Sequence, residues 1–422
     1  MTPAELERAW RAGRVVPLAA PQETAGLAAA LASPAPTSPT ATGRATLEVL
    51  AADWGPGVVV GSGGSRGGRR WCLQPLAHLE ASAAATGRWL VELGLEPAAC
   101  VHLNPLPLHH VSGLLPWIRA RQWGGGHVAI APEVLRRPQD PADLPVLPGD
   151  RAALISLVPT QLARLVAEPA GLAWLQRLAV IWVGGAPLPS WLARRAREAG
   201  LRLAPCYGAT ETAAMVTALA PEAFLAGEEG CGPPLAGVAL RLAAEGTALE
   251  VCTDRLSPGV LRHGRLAPLP RSADGWWRSG DGARLGAGGL VVLGRLDGAI
   301  LSGGETVFPE QLEARLRELA VARRWPLQEL LLLGVDDPEW GQRLVALVRE
   351  RSGADGQALR ELLRQATAAW PPAERPCRWL GCPSLAPGSM GKWQRAAWQE
   401  WLRSLEAGGS PRPSLPRDVH AE

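Results

Sequence analysis

Lysine is nearly absent: of 43 Lys and Arg residues, only Lys392 is lysine. Tyr207 is the only tyrosine, Asn104 the only asparagine, and Phe224 and Phe308 the only phenylalanines. These residue types share A/T-rich codons, so a G/C-biased coding sequence is the simplest cause. Under that pressure lysine drifts to arginine wherever a delocalised cation serves. It persists where a compact ammonium is needed. The skew of the aromatics toward 18 Trp has the same origin, and no stacking platform is read into it.

Cysteine is sparse and unpatterned. The seven cysteines are odd in number and scattered, with no C-x-x-C and no paired Cys/His spacing, which excludes the usual zinc frameworks. Free thiols in a reducing compartment are expected. No apolar run reaches bilayer-spanning length, and Met1–Glu7 has early acids where a secretory signal has a basic then apolar order. The expectation is a cytoplasmic protein without integral membrane association. A net charge of +3 over 422 residues offers no basic stripe for nucleic acid. Homo-oligomerisation stays open.

The length exceeds what one core usually sustains, so two or more domains are expected. A helix is predicted over Glu5–Val16, a loop over 33–42 and a helix over Thr46–Ala52. A strand at Gly57–Val60 runs into a Gly-rich basic loop, and a helix follows from Pro75 to Leu93. Short apolar strands come next, at Cys100–Leu103, Gly126–Ile130, Ala153–Leu157, Leu178–Val183 and Arg202–Ala204. They alternate with helices at Gly113–Trp123, Pro159–Glu168 and Pro189–Ala199, which argues for α/β layering. From Val238 a β-rich subdomain is expected, with strands at 239–242, 248–252 and 289–293. Beyond Asp297 a smaller α+β unit follows, with helices Pro309–Leu319 and Gly356–Thr367 and strands Leu330–Val335 and Arg343–Val348. The expected division is 1–296, 297–407 and a disordered Gly/Ser/Pro-rich tail at 408–422.

Four stretches carry candidate chemistry. Gly61–Arg69 has the composition of a phosphate cradle, in which glycines let N–H groups converge on an anion and Ser62 and Ser65 add hydroxyls. It is not a Walker loop, and a plain surface loop is the alternative. Tyr207-Gly208-Ala209-Thr210-Glu211 follows a predicted strand. Its ring could stack on a purine, and its hydroxyl and carboxylate could hold Mg²⁺ between phosphate oxygens; a capped strand-to-helix turn is the alternative. Asp281, read as a turn residue, could accept both hydroxyls of a ribose, with Arg295 reinforcing it. His109-His110, at the end of a predicted strand, lacks a third metal ligand at suitable spacing and reads as polar lining of a substrate cleft or as packed histidines.

The order of the motifs is more specific than any one of them. L-P-L-H-H-x-S-G at 106–113, W-V-G-G-A-P-L at 182–188, Y-G-A-T-E at 207–211 and S-G-D at 279–281 are followed by G-R-L-D-G-x-I-L-S-G-G-E-T-V-F-P at 294–309 and G-S-M-G-K-W-Q-R at 388–395. From about Val58 to Trp401 the chain resembles the adenylate-forming acyl/aryl-CoA synthetases. Within them Asn104–Trp117 is most similar to the 2-succinylbenzoate–CoA ligases of cyanobacterial type.

The resemblance implies a large N-terminal domain of layered α/β subdomains and a small mobile C-terminal domain. It implies ATP, 2-succinylbenzoate and CoA as substrates, Mg²⁺ as cofactor, and a place in phylloquinone and menaquinone synthesis. By matched position, Ser62, Gly63, Ser65 and Arg69 fall in the phosphate loop, and Gly185, Tyr207 and Gly208 line the nucleotide. Thr210 and Glu211 serve ATP and the metal. Asp281 and Arg295 hold ribose, Asp297 is the hinge and Lys392 the catalytic lysine. His110 and Ser112 line the acid pocket, and Gly303 and Gly304 face the CoA channel. Arg119 and Arg121 are candidate partners for the second carboxylate of succinylbenzoate.

The phosphate loop departs from the family pattern. Gly64 replaces a hydroxyl residue, Arg66 a glycine, Gly68 a proline and Arg69 a lysine. Another aryl-CoA ligase, for benzoate or coumarate, and a non-catalytic nucleotide-binding homologue are the rival readings. An amino-acid adenylation domain is set aside because no aspartate stands near His110.

Overall fold

The computed structural model describes residues 1–32, 43–62, 70–131, 133–135, 144–244, 246–387 and 393–406. Gly63, Ser65, Arg69 and Lys392 lie outside the described residues, as does the segment 408–422 expected to be a disordered tail. The chain divides into two compact units. Described residues up to Ser279, with 283–292, form the first; 280–282 and 293 onward form the second.

The first unit is built on a six-stranded sheet. Its order is Gly126–Ala129, Cys100–Asn104, Ala152–Leu157, Val180–Val183, Leu203–Ala209 and Ala214–Ala218. The first five run parallel and the last antiparallel. Helices Val111–Trp123, Pro159–Ala167 and Ser190–Glu198 lie in the crossovers. Both faces are buried. Leu103, Ile155, Ile181 and Leu203 pack with Leu162 and Leu192 on one, and Leu154, Val180, Trp182 and Ala204 with Trp89 and Leu90 on the other. That is why these strands read as nearly continuous apolar runs.

A second sheet orders Val15–Leu18, Gly57–Ser62, Arg70–Pro75, Gly259–Arg262 and Arg265–Pro268. A third orders Ala239–Leu242, Ala248–Cys252, Trp277–Gly286 and Gly289–Arg295. Three sequence expectations fail here. The N-terminal helix spans only Pro3–Arg11. Gly13 takes φ +70° beyond it, and β-branched Val15 and Val16 pair in parallel with Gly57 and Val58. Arg70–Pro75, hidden by the composition of the preceding loop, is a strand antiparallel to Gly57–Ser62. Asp281 lies inside the strand Trp277–Gly286, and its turn-like signature comes from Gly280 at φ +81°.

The second unit has a sheet ordered Glu305–Val307, Ile300–Ser302, Gly341–Glu350 and Leu327–Asp337, with Arg378–Gly381 parallel to Gly341–Glu350. Leu330 to Leu333 alternate between its faces, as a period of two requires. Leu330 and Leu332 pack with Leu312, Leu316, Leu359 and Leu363 of helices Pro309–Ala322 and Gly356–Thr367. Leu331 and Leu333 pack with Trp398 and Leu402 of helix Arg395–Glu406. All seven cysteines are free, and Cys377 alone is exposed. Among the described residues no helix is long and apolar enough to cross a membrane.

Candidate active site

Strand Leu203–Ala209 runs through Tyr207 and Gly208 and ends in a single 3-10 turn, Thr210–Thr212. Gly208 has to be glycine, because a Cβ there would collide with the backbone of Ala214. Thr212 closes the turn: its hydroxyl accepts from Ala209 N at 2.9 Å and donates to Ala214 O at 2.7 Å. Ala213 and Ala214 then both take positive φ, 52° and 74°. For non-glycine residues that is strain of about 1–2 kcal/mol each, the kind held at functional sites. The turn drives Glu211 inward until only 3% of it is exposed.

Glu211 is held on several sides. Arg70 Nη2 donates to its Oε1 at 2.9 Å. Ser257 N donates to its backbone carbonyl at 2.7 Å, and Gln74 Nε2 donates to Thr210 O at 2.5 Å. Cys72 lies beneath, its thiol pushed far up by burial and by the Glu211 charge. Ser62, the last residue of its strand, is buried, and its Oγ has no hydrogen-bond partner among the described residues. Gly185 takes φ +79° just beyond the neighbouring strand Val180–Val183.

The sole asparagine has a structural task. Asn104 ends its strand, accepts from Leu106 N at 3.2 Å and donates to Gly113 O at 2.8 Å, so one side chain fixes both ends of the loop 105–110. A Cβ at Gly113 would strike the carbonyl oxygens of Leu106 and Pro107. The histidine pair therefore lies five and six residues past the strand it was read as ending, at the start of helix Val111–Trp123. The rings of His109 and His110 are 4.6 Å apart, His110 is the N-cap residue, and Ser112 is exposed on the first turn.

Two turns further on, the structure separates the two candidate arginines. Arg121 is committed, at 2.7 Å to Glu7 and 2.8 Å to Glu80. Arg119 points inward with 2% exposure and lies 5.1 Å from the centre of the Trp182 ring. Its Nε has no hydrogen-bond partner, and no carboxylate pairs with it among the described residues. Burial pulls its pKa down to about 10. His102 stacks on the same Trp182 at 5.4 Å; burial and Arg119 hold its pKa well below the usual value, so it is neutral. A second buried arginine, Arg255, has an unpartnered Nε and a pKa lowered to about 10 by burial and then Arg88. The surroundings are rich in donors and poor in anions, which suits an anionic group arriving from outside.

In the second unit Arg295 joins two carboxylates. Its Nη1 is 3.3 Å from Asp281 and its Nε 3.3 Å from Asp297. Burial pulls its pKa down, but Asp281 and Asp297 more than offset this and the net shift is upward. Phe308 packs where a Cβ on Gly282 would sit, and Gly294 beside it takes φ +142°, a conformation that disfavours any other residue. Gly303 and Gly304, at φ 59° and 85°, turn the hairpin from Ile300–Ser302 to Glu305–Val307, the form in which both central residues need positive φ. The Trp340 ring packs against Gly303.

Arg70, Gln74, Arg255, Ser257 and Trp340 escaped sequence reasoning. Gln74 alone left a trace, as a polar residue in the apolar run 71–74. The donor set at Glu211 fits Mg²⁺, which binds through one or two carboxylates and takes its other ligands from phosphate and water.

The doubly buried parallel sheet, the Thr-Glu turn and the small second unit are the parts of the adenylate-forming fold. Residues 75–256 match the AMP-binding enzyme family. Over 304 residues it is 34% identical to the 2-succinylbenzoate–CoA ligase of Salmonella typhimurium, covering 71% of this chain and 60% of that protein. To the Escherichia coli ligase it is 30% identical over 305 residues, with the same two coverages. The chain thus spans 60% of the length of these relatives. Among solved structures, E. coli MenE bound to a phenylether-linked OSB-AMS analogue is 26% identical with TM-score 0.58, covering 82% of this chain and 69% of that one. The o-succinylbenzoate CoA synthetase of Bacillus subtilis with its acyl-adenylate shares the fold at TM-score 0.65 and 22% identity, covering 80% and 68%. These relatives give the cyanobacterial qualifier no support.

Proposed function

We propose that this chain activates 2-succinylbenzoate with ATP and passes the acyl group to CoA, in the cytoplasmic branch that leads to menaquinone or phylloquinone. The observation that carries the choice of acid is Arg119. It is a buried guanidinium without a carboxylate partner among the described residues, on the helix that His110 caps, and a second substrate carboxylate would neutralise it. Benzoate or coumarate would leave that charge uncompensated. The ligases named above support the same acid.

In the first half-reaction the substrate carboxylate attacks the α-phosphorus of ATP and pyrophosphate departs. Glu211 and Thr210 would hold Mg²⁺, which supplies charge neutralisation at the departing phosphates. Ser62, Gly63, Ser65 and Arg69 escort those phosphates. Tyr207, Gly208 and Gly185 receive the base, and Asp281 and Arg295 the ribose. Lys392 bridges the attacking carboxylate and the nucleotide oxygens; a preorganised donor of this kind is worth about 3–4 kcal/mol, or roughly 10²–10³ in rate. In the second half-reaction the small domain turns at Asp297, withdraws Lys392 and presents Gly303-Gly304 to the CoA thiol, whose attack on the acyl-adenylate releases AMP.

Acid-dependent ATP–pyrophosphate exchange and CoA-thioester formation across a panel of aryl acids test the proposal. Succinylbenzoate should turn over far faster than benzoate or coumarate. Equal rates would point to another aryl-CoA ligase. AMP binding without exchange for any acid would point to a non-catalytic homologue.

A further inference from the structure

Arg70 is the first described residue beyond the Gly-rich loop and the first of strand Arg70–Pro75. Its pairing with Glu211 joins two unlike environments: the arginine side chain is 43% exposed, the carboxylate side chain 4%. Among the described residues no second cation pairs with Glu211. A carboxylate so enclosed is tolerated as an anion only beside a cation or strong donors. Arg70 supplies that cation. Its long, half-exposed side chain can also leave without opening the fold.

We propose that Arg70 is a resident counter-cation of Glu211 that competes with the divalent ion for the same carboxylate. The inference rests on the reading of Glu211 as the metal-holding group. A guanidinium and a hard dication need the same oxygen lone pairs, and placing both there would bring like charges within a few ångströms. The metal therefore enters by displacing Arg70, and the phosphates of an incoming nucleotide offer the displaced guanidinium a second partner. Two consequences follow. The metal requirement for nucleotide binding moves to higher concentration than a bare carboxylate would need. Binding without metal is largely preserved, because no naked charge faces the phosphates.

The test is calorimetric binding of α,β-methylene-ATP, which cannot release pyrophosphate, at stepped Mg²⁺ concentrations. Arg70→Gly should lower the Mg²⁺ midpoint about three- to tenfold and weaken metal-free binding severalfold. Arg70→Gln, which removes the charge but keeps a polar amide, should behave alike, and Arg70→Lys should restore part of the wild-type midpoint. Unchanged midpoints in Arg70→Gly and Arg70→Gln, alongside a Glu211→Gln variant that loses its Mg²⁺ response, would overturn the competition while sparing the reading of Glu211. A Glu211→Gln variant with the wild-type Mg²⁺ response would place the metal elsewhere and overturn both.

Discussion

Arg395 Nη2 lies 2.9 Å from each oxygen of the Glu313 carboxylate, across 82 residues of sequence. Glu313 is 2% exposed and also accepts from Leu332 N at 2.8 Å, while Arg395 Nη1 donates to Leu332 O at 2.8 Å. Burial raises the Glu313 pKa, and Arg395 then Arg317 oppose the rise. One charged group thus ties helix Pro309–Ala322, strand Leu327–Asp337 and the start of the last helix, three residues after Lys392.

Removing one partner of such a pair strands the other. Arg395→Ala should destabilise the second unit by about 3–5 kcal/mol. Denaturant unfolding of the full chain, followed by tryptophan fluorescence, should resolve the loss as an earlier transition. Arg395→Lys should recover only part of it, since a single ammonium does not reproduce the fork whose Nη2 meets the Glu313 carboxylate while Nη1 meets the Leu332 carbonyl.

Arg119→Met should separate recognition from folding. Exchanging an unpaired buried cation for an apolar chain of similar length should leave stability unchanged or raise it. The KM for succinylbenzoate should rise roughly 10- to 100-fold, the loss of one charge-assisted hydrogen-bonding partner. The rate with benzoate should hold or improve. An equal loss for both acids, measured as thioester formation, would contradict the assignment.

Lys392→Ala should cripple ATP–pyrophosphate exchange yet largely spare thioester formation from supplied acyl-adenylate. Lys392→Arg should also exchange poorly, because a planar fork does not replace a point charge. Equal loss in both half-reactions would refute domain alternation.

Three partly or fully enclosed histidines set a pH response. Burial lowers the pKa of His78, His102 and His127 below the ordinary 6.5, and Arg271, Arg119 and the neighbouring His127 add to the effect at the first two. Below 6.5 the unfolded chain takes protons that the folded chain refuses. Stability should therefore hold above pH 6.5 and fall as pH drops, by at most about 1.4 kcal/mol per pH unit for each histidine. Melting curves between pH 7.5 and 5 should show the decline, and His102→Gln should flatten it.

The layered α/β order and the helices were legible because they rest on local periodicity. Helix Gly356–Thr367 has the bounds that its pattern predicts. Asn104 and Gly113 stood inside a recognisable motif, although the reason for each appeared only when side chain and carbonyl met. The pairings Arg70–Glu211 and Glu313–Arg395 join positions 141 and 82 residues apart, and no local pattern encodes such a meeting. The left-handed Ala213 and Ala214 were likewise hidden. Alanine carries no signal for positive φ; packing around Glu211 imposes it. Arg119 and Arg121 looked equivalent in sequence, and only the carboxylates of Glu7 and Glu80 distinguish them.

With six thiols shielded or partly covered and Cys377 open to solvent, the native protein offers one favoured attachment point for a maleimide dye. That point belongs to the second unit. A fluorophore could therefore be placed there without engineering a cysteine-free background. A change in its emission through a single turnover would be the direct readout of the proposed turn of the small domain.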